Sequence, residues 1–417
     1  MAVDVALACM GDADPAGFDA LSFASTSAPY LEKQVASIVA TAVDLPRSAA
    51  TADFGGSARA ALAALRAACD AVRAGSLSRP LVVAADVRPA EPGSDLEAQL
   101  GDGAACAAVG ADDVIAELVS AATVSEQFTY AWRTDTQRYL QVADARFGNQ
   151  YGVGRDVPEA VGAALRKADL PPARIAALCL AVPDPRAAAD AAKRIGCDPK
   201  TLVPALEAGV LGTADPFVLL ARALETAAPG DDVVVAGYGE GADALVFRAT
   251  DALPARRPAP LAERLAGGLA VASYERWLRA RGVLPSDVGG EAVPTYIEWK
   301  ELKQDVRLYG SRCDACGLVQ YPQALVCIGC QARERMTDAK LAKSGAVFTF
   351  TIDNLAQVAE HPMPMVVVDL DGGGRLYLQG TDCSEGDIAV GKRVRLTFRR
   401  LHEAGGDRNY FWKVRPA

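Results

Sequence analysis

The chain has 417 residues, of which 51% are hydrophobic, 23% charged and 6% aromatic, enough for two or three domains of roughly 100–200 residues each. That composition excludes disorder along the whole chain and a collagen-like repeat; the longest apolar run, Ile175 to Pro183, spans nine residues, where a membrane-crossing helix needs about 20. Charge is uneven: residues 1–290 hold 26 Lys and Arg against 36 Asp and Glu, a net of −10, and residues 291–417 hold 17 against 16, a net of +1, so neither part has the basic excess of a nucleic-acid binder.

The first twenty residues contain Asp4, Asp12, Asp14 and Asp19 and no Lys or Arg. The basic opening of a secretory signal is absent there, which makes the cytoplasm the expected compartment. An alanine-rich helical stretch over about 57–73 then leads through a Gly/Ser turn to an apolar strand, Leu81 to Asp86. The Gly-rich turn Gly101-Asp-Gly103 and a second apolar strand, ending at Val109, follow. The same grammar returns later: a helical stretch over about 214–226, a Pro229-Gly230 turn, the strand Val233 to Tyr238, the turn Gly239-Glu-Gly241 and the strand Ala242 to Phe247. Short β-branched runs alternating with amphipathic helices predict an α/β fold with both sheet faces covered, and the repetition predicts two similar halves.

Near 250–300 the texture changes. Pro254, Pro258 and Pro260 break the pattern, Leu261 to Arg281 reads as a helical tail and Gly282 to Pro294 as a linker. The expected domains are residues 1–285, a linker and helix over 286–304 that includes Trp299, a cysteine-rich module over 305–335 and an all-β module over 336–417. The last should hold five strands: Ala346–Asn354, Met365–Leu370, Arg375–Gly380, Val394–Leu401 and Tyr410–Val414. Turns such as Asp371-Gly-Gly-Gly374 separate them, a pattern that suits a small closed barrel.

Ten cysteines are present, and four cluster as Cys313-Asp-Ala-Cys316 and Cys327-Ile-Gly-Cys330. Two CxxC knuckles can each place two thiolates about 2.3 Å from one metal and together complete a closed tetrahedral site. Four Cys ligands leave no open position for water, so the expected metal is a structural zinc. Such a clip contributes on the order of 10 kcal/mol in small modules. An iron site, a redox pair or a ribbon without metal are the other readings of this spacing.

The segment Tyr309-Gly-Ser-Arg-Cys-Asp-Ala-Cys-Gly317, Tyr321-Pro322, the second knuckle and Val394 to Pro416 resemble a family that joins a rubredoxin-like zinc ribbon to an OB-fold barrel. The resemblance implies a partner of thiolase-superfamily proteins that shapes an acyl-CoA channel rather than one that catalyses. Barrel shape alone would suggest an oligonucleotide-binding OB module, an alternative that the near-neutral charge disfavours.

Residues 1–285 resemble the 3-hydroxy-3-methylglutaryl-CoA synthase branch of the thiolase superfamily, above all its archaeal-type members. The carrying segments are Ser25-Thr-Ser-Ala-Pro-Tyr30, Ala52-Asp53, Ser57-Ala-Arg-Ala-Ala61, the Gly101-Asp-Gly103 turn, Tyr130-Ala-Trp-Arg133, Ala192-Lys-Arg-Ile-Gly196, Gly237-Tyr-Gly-Glu-Gly241 and Val271 to Arg281. The resemblance implies a duplicated thiolase-type αβαβα fold. It also implies a Cys nucleophile, a His, an Asn and a Glu base. Ungapped, the Cys position falls on Ala58; a shifted register places it on Asp53. The His position falls on Ala181, the Asn position on Ala208 and the Glu position on Thr26. All four chemical groups are replaced, and the only two His residues are His361 and His402.

Other residues near these positions carry groups that could substitute. Ser57 adjoins the nucleophile position but has no His to activate it; it reads as a small residue at a tight turn. Cys69 and Cys106 read as small core residues, and Cys179, beside the His position, is the one thiol with a possible site role. Arg59 reads as a capping or solvated arginine that could otherwise meet a phosphate, and His361 as solvent-facing or at a channel mouth. Family members also carry a strand ahead of the first helix, whereas Met1 here already begins that helix.

The expected function is therefore a non-catalytic subunit that binds or channels acyl-CoA for an active thiolase-superfamily partner, in a dimer or higher oligomer, without nucleic acid or membrane. The alternative enzyme reading is an acyl-CoA condensing enzyme of the hydroxymethylglutaryl-CoA synthase or ketoacyl synthase class that uses atypical or partner-supplied residues.

Overall fold

The computed structural model describes residues 1–284, 293–355 and 362–417. It divides into two compact units, Met1–Gly267 and Gly268–Ala417. The helical tail Val271 to Arg281, which the sequence reading joins to the large domain, falls in the second unit. His361 lies outside the described residues.

The first half of the first unit runs α1 (Ala2–Met10), β1 (Ala20–Ala24), α2 (Val35–Ala42), β2 (Ala50–Phe54), α3 (Ala60–Arg73), β3 (Pro80–Val87), α4 (Asp95–Gln99) and β4 (Asp102–Ala108). Its sheet has the order β2-β1-β3-β4, with β1 parallel to β2 and β3, and β4 antiparallel. The second half begins with β5 (Ala116–Ser125) and a small hairpin of β6 (Ala131–Trp132) and β7 (Gln141–Val142). A short α5 (Ala145–Phe147) passes through a π-helical turn into α6 (Gly154–Lys167). After it come β8 (Ile175–Ala181), α7 (Pro185–Ile195), α8 (Asp215–Leu224), β9 (Asp232–Tyr238), β10 (Gly241–Ala249) and α9 (Leu261–Ala266).

The second sheet has the order β5-β10-β9-β8. In both halves a parallel pair is followed by an antiparallel strand, so β1, β3 and β4 correspond to β8, β9 and β10. The duplication read from the glycine segments is therefore a duplication of topology, although only Gly239-Glu-Gly241 turns between strands; Gly101-Asp-Gly103, expected to be a turn, instead enters β4, where Gly103 pairs with Asp86. Among the described residues the first sheet has no counterpart of β5.

Side-chain alternation sorts the layers. Val233 and Val235 join Leu62, Leu65, Phe217 and Leu219 in a core between the two sheets, while Val234 and Ala236 face Val157, Val161 and Ala191 on the outer side. Helices α3 and α8 form the central layer. Alanines at 60, 61, 64 and 68 bury one face of α3, and their small size lets the helix lie close to a sheet on either side. On the outer face of the first sheet, the Asp53 carboxylate caps α2 through the Val35 and Ala36 N–H groups, at 2.7 and 2.8 Å.

The second unit begins with α10 (Tyr274–Ala280) and α11 (Thr295–Asp305), followed by β11 (Tyr309–Cys313), β12 (Val319–Gln320) and β13 (Met336–Lys340) in one small sheet. The five predicted strands then follow: β14 (Ser344–Asp353), β15 (Met363–Leu370), β16 (Arg375–Gln379), β17 (Arg393–Ala404) and β18 (Asp407–Pro416), in the order β16-β15-β14-β17-β18. A bridge from Gly380 to Val414 and the Thr381 N–H donated to Val414 O at 2.9 Å tie the first edge to the last. Trp412 is fully buried against Phe398, and its indole N–H donates to Val306 O at 3.1 Å.

Candidate functional site

The parallel strands of both halves send their C-terminal loops to one place, where open α/β sheets form their crevices. Thr26 and Ser27 follow β1, Gly56 to Ala58 link β2 to α3, and Arg88 follows β3. Ala181 ends β8, Gly212 and Asp215 open α8, and Gly239 turns between β9 and β10. Together they line a cavity of about 1000 Å3. Its walls are mostly apolar, with Leu180, Leu202, Leu206 and Leu219 among them.

Three of the four positions drawn from the family resemblance, Thr26, Ala58 and Ala181, meet on this cavity. Ala208 does not line it; its neighbours Glu207 and Gly209 do, and its carbonyl oxygen instead sits so close to Gly101 that a Cβ there would collide with it. Asp53, the alternative nucleophile position, is occupied in capping α2. Ser57 lines the cavity, but its hydroxyl donates to Gly239 O at 3.1 Å.

The thiols fall away from this chemistry. Cys179 is buried, its Sγ donates to Leu219 O at 3.3 Å, and burial pushes the thiol far above its ordinary value. Cys69 is half-buried and pushed up to about 11, chiefly by desolvation. Cys106 is half-buried as a residue, but its thiol is enclosed and hydrogen-bonded with Cys9 of α1. Arg59, the residue before α3, makes no side-chain cap bond to that helix; it instead ties the turn between β9 and β10, donating to Gly239 O at 2.6 Å and Glu240 O at 3.3 Å and pairing with Asp243 at 3.1 Å.

Sequence reasoning missed the polar floor of the cavity. The Asp86 carboxylate, 1% exposed, accepts bonds from Ser25 Oγ, from the N–H and hydroxyl groups of Thr26 and Ser27, and from Thr213 N and Oγ1, all at 2.7–3.1 Å. A buried carboxylate needs such donors, and here they come from both halves of the fold. Gly212, with φ of +64°, permits this: a Cβ there would collide with Asp86 Oδ2 and Arg88. Arg88 is 9% exposed and donates to Thr26 Oγ1 at 3.3 Å. The one sequence signal was an acid closing the apolar run Leu81 to Asp86.

In the second unit the cysteine tetrad assembles as its spacing predicts. Cys313 ends β11, and Gly317, with φ of +77°, turns the first knuckle so that its N–H donates to Cys313 O at 2.8 Å. The sulfur pairs Cys313–Cys330 and Cys316–Cys327 are each 3.6 Å apart, and all four sulfurs lie within 4.8 Å of one another. Four sulfurs at tetrahedral corners about 2.3 Å from a zinc ion would stand roughly 3.8 Å apart, so the donor set fits the metal. Backbone N–H groups, Cys330's first, pull Cys327 down to about 6, which favours the thiolate.

Two family models match the second unit: the ChsH2 rubredoxin-like zinc ribbon domain over residues 301–335 and the ChsH2 C-terminal OB-fold domain over 339–399. A DUF35 domain-containing scaffold protein of Methanocaldococcus jannaschii is 30% identical over 123 residues, which span 28% of this chain and 87% of the relative. The chain belongs to the DUF35 domain family. This membership rests on the second unit, and the DUF35 region is preceded by a domain of another lineage. A hydroxymethylglutaryl-CoA synthase of Aeropyrum pernix is 29% identical over 256 residues, 59% of this chain and 69% of the relative.

Among solved structures, MvaS in complex with 3-hydroxy-3-methylglutaryl coenzyme A has a TM-score of 0.60 at 21% identity, covering 70% of this chain and 82% of that one. A hydroxymethylglutaryl-CoA synthase complexed with CoA has a TM-score of 0.56 at 19% identity, covering 63% and 75%. This DUF35 protein thus joins a hydroxymethylglutaryl-CoA synthase-like thiolase fold to a zinc ribbon and an OB-fold. Among the described residues no helix is long and apolar enough to cross a membrane.

Proposed function

We propose that the chain is a subunit that binds or channels acyl-CoA for an active thiolase-superfamily acyltransferase and forms no acyl-enzyme itself. The observation that carries this reading is the convergence of Thr26, Ala58 and Ala181 on a cavity whose described lining contains no cysteine and no histidine. Covalent acyl transfer needs an activated nucleophile and a base, and alanine offers neither. The same small side chains leave room for an acyl thioester between apolar walls. Arg133 and Arg186 also line the cavity and suit the phosphates of a CoA moiety.

The relatives lend support on both counts. Those of the first unit are named as hydroxymethylglutaryl-CoA synthases, and two similar structures hold CoA or its hydroxymethylglutaryl thioester. Those of the second unit are named as scaffold proteins. In this reading Cys313, Cys316, Cys327 and Cys330 hold a structural zinc that keeps the ribbon folded, and the second unit contributes to assembly with the partner.

Native mass spectrometry of the tagged chain purified from its own host tests the proposal. The expected result is a stoichiometric thiolase-superfamily partner, about one zinc per chain and no mass increment on this chain after incubation with acyl-CoA. A partner-free homodimer that becomes acylated would overturn it.

A further inference from the structure

One end of the cavity carries acid–base groups that an acyl-binding role does not use. Asp215 begins α8 and lines the cavity, yet is only 6% exposed. Its Oδ1 accepts the Leu211 N–H at 2.9 Å, and its Oδ2 has no hydrogen-bond partner among the described residues. Arg88, nine-tenths buried, lines the same cavity. The charges that bear on Asp215 come from the end of β3: Arg88, which favours its anion, and Asp86, which opposes it. Asp86 is already engaged by the donors of residues 25–27 and 213. Desolvation dominates and pushes Asp215 up to about 7, the range in which a carboxylate works as a general base at neutral pH.

We propose that Asp215 is a catalytic base that removes and returns the α-proton of an acyl thioester held in this cavity, with the Arg88 guanidinium holding the enolate oxygen. The Cα–H bond breaks, the proton passes to Asp215 Oδ2, and the electron pair forms the enolate, whose negative charge rests on the thioester oxygen. The reverse step returns a proton to the carbon after exchange with solvent. No acyl-enzyme, oxidant or second substrate is required, so the replaced nucleophile position is no obstacle. The product is the thioester with its α-hydrogen exchanged, or racemised where that carbon is substituted. The inference rests on the acyl-CoA reading above.

The test uses the full chain in D2O with propionyl-CoA as probe, following loss of the α-proton signal by NMR while calorimetry measures binding in the same buffer. Exchange should exceed the protein-free control and rise with pH through about 7. D215N should lose about 100-fold or more of the exchange rate while binding the thioester within about threefold of wild type, and R88K should fall between the two. Binding without exchange, or equal exchange in D215N, would overturn the base and leave the acyl-CoA reading standing. Absence of binding would overturn both. Should D215N not fold, the wild-type pH profile decides: a flat profile between pH 5.5 and 8.5 sinks the proposal.

Discussion

The cysteine tetrad of the second unit and the cavity of the first are both places where loops close on a point, but they keep different halves of a functional site. At the tetrad, side-chain chemistry and geometry survive together: four sulfurs within 4.8 Å of one another, at a spacing that a tetrahedral metal accepts. At the cavity, geometry brings Thr26, Ala58 and Ala181 together, and their assignment to the family's reactive positions is what the sequence resemblance implies. The difference teaches that residue types identify a site only where the chemistry resides in the residues themselves. A cavity is defined by backbone placement, and its lining residue types alone do not name its reaction.

The hardest way to break this contrast is at the metal. Cys327→Ser removes one of four thiolates from a closed site, and metal binding in small ribbons is folding energy on the order of 10 kcal/mol. Zinc content should fall to near zero and the amides of residues 309–340 should lose their hydrogen-exchange protection, whereas binding of acyl-CoA by the first unit should persist. Metal analysis and exchange mass spectrometry check the first two outcomes, and calorimetry the third. Loss of acyl-CoA binding in the same variant would show that the two regions are not functionally separate.

A smaller effect sharpens the cavity side. Asp215 has an ordinary value of 3.8 and is held near 7 in the folded chain, so the folded state binds this proton more tightly than the unfolded state does. Its stabilising contribution is complete below about pH 4, drains away as pH rises toward 7, and is gone above that, a difference on the order of 4 kcal/mol. Asp215→Asn keeps an oxygen for the Leu211 N–H and removes the titration. Urea midpoints should therefore be nearly equal for the two proteins at pH 4.5, with D215N the more stable by a few kcal/mol at pH 8. Parallel pH profiles would mean that Asp215 is not a buried acid.

Much of the architecture was legible because it is local. The run Leu81 to Asp86, the Gly239 turn, the five C-terminal strands and the CxxC pair all announce themselves within a few residues, whereas Gly101-Asp-Gly103, read as a turn, enters β4 itself. The cavity floor does not. Asp86 draws its partners from residues 59 to 127 positions away, and no periodicity encodes a carboxylate shared between two halves of a duplicated fold. Asp215 before Pro216 reads in sequence as an ordinary helix start; only the fold shows that it opens onto a cavity.

The smallest expected effect bears most directly on whether the cavity has kept any nucleophile. Ser57→Ala removes the hydroxyl that donates to Gly239 O at 3.1 Å, yet that carbonyl keeps its 2.6 Å bond from Arg59 Nε and is not orphaned. The cost should be about 0.5–1 kcal/mol, a slight fall in the urea midpoint. If the hydroxyl only pins the turn between β9 and β10, intact-mass spectra after incubation with acyl-CoA will be free of adduct in both proteins. An adduct present in wild type and lost in S57A would make Ser57 the nucleophile. The cavity would then have kept its chemistry as the tetrad has, one residue away from where the family resemblance places it.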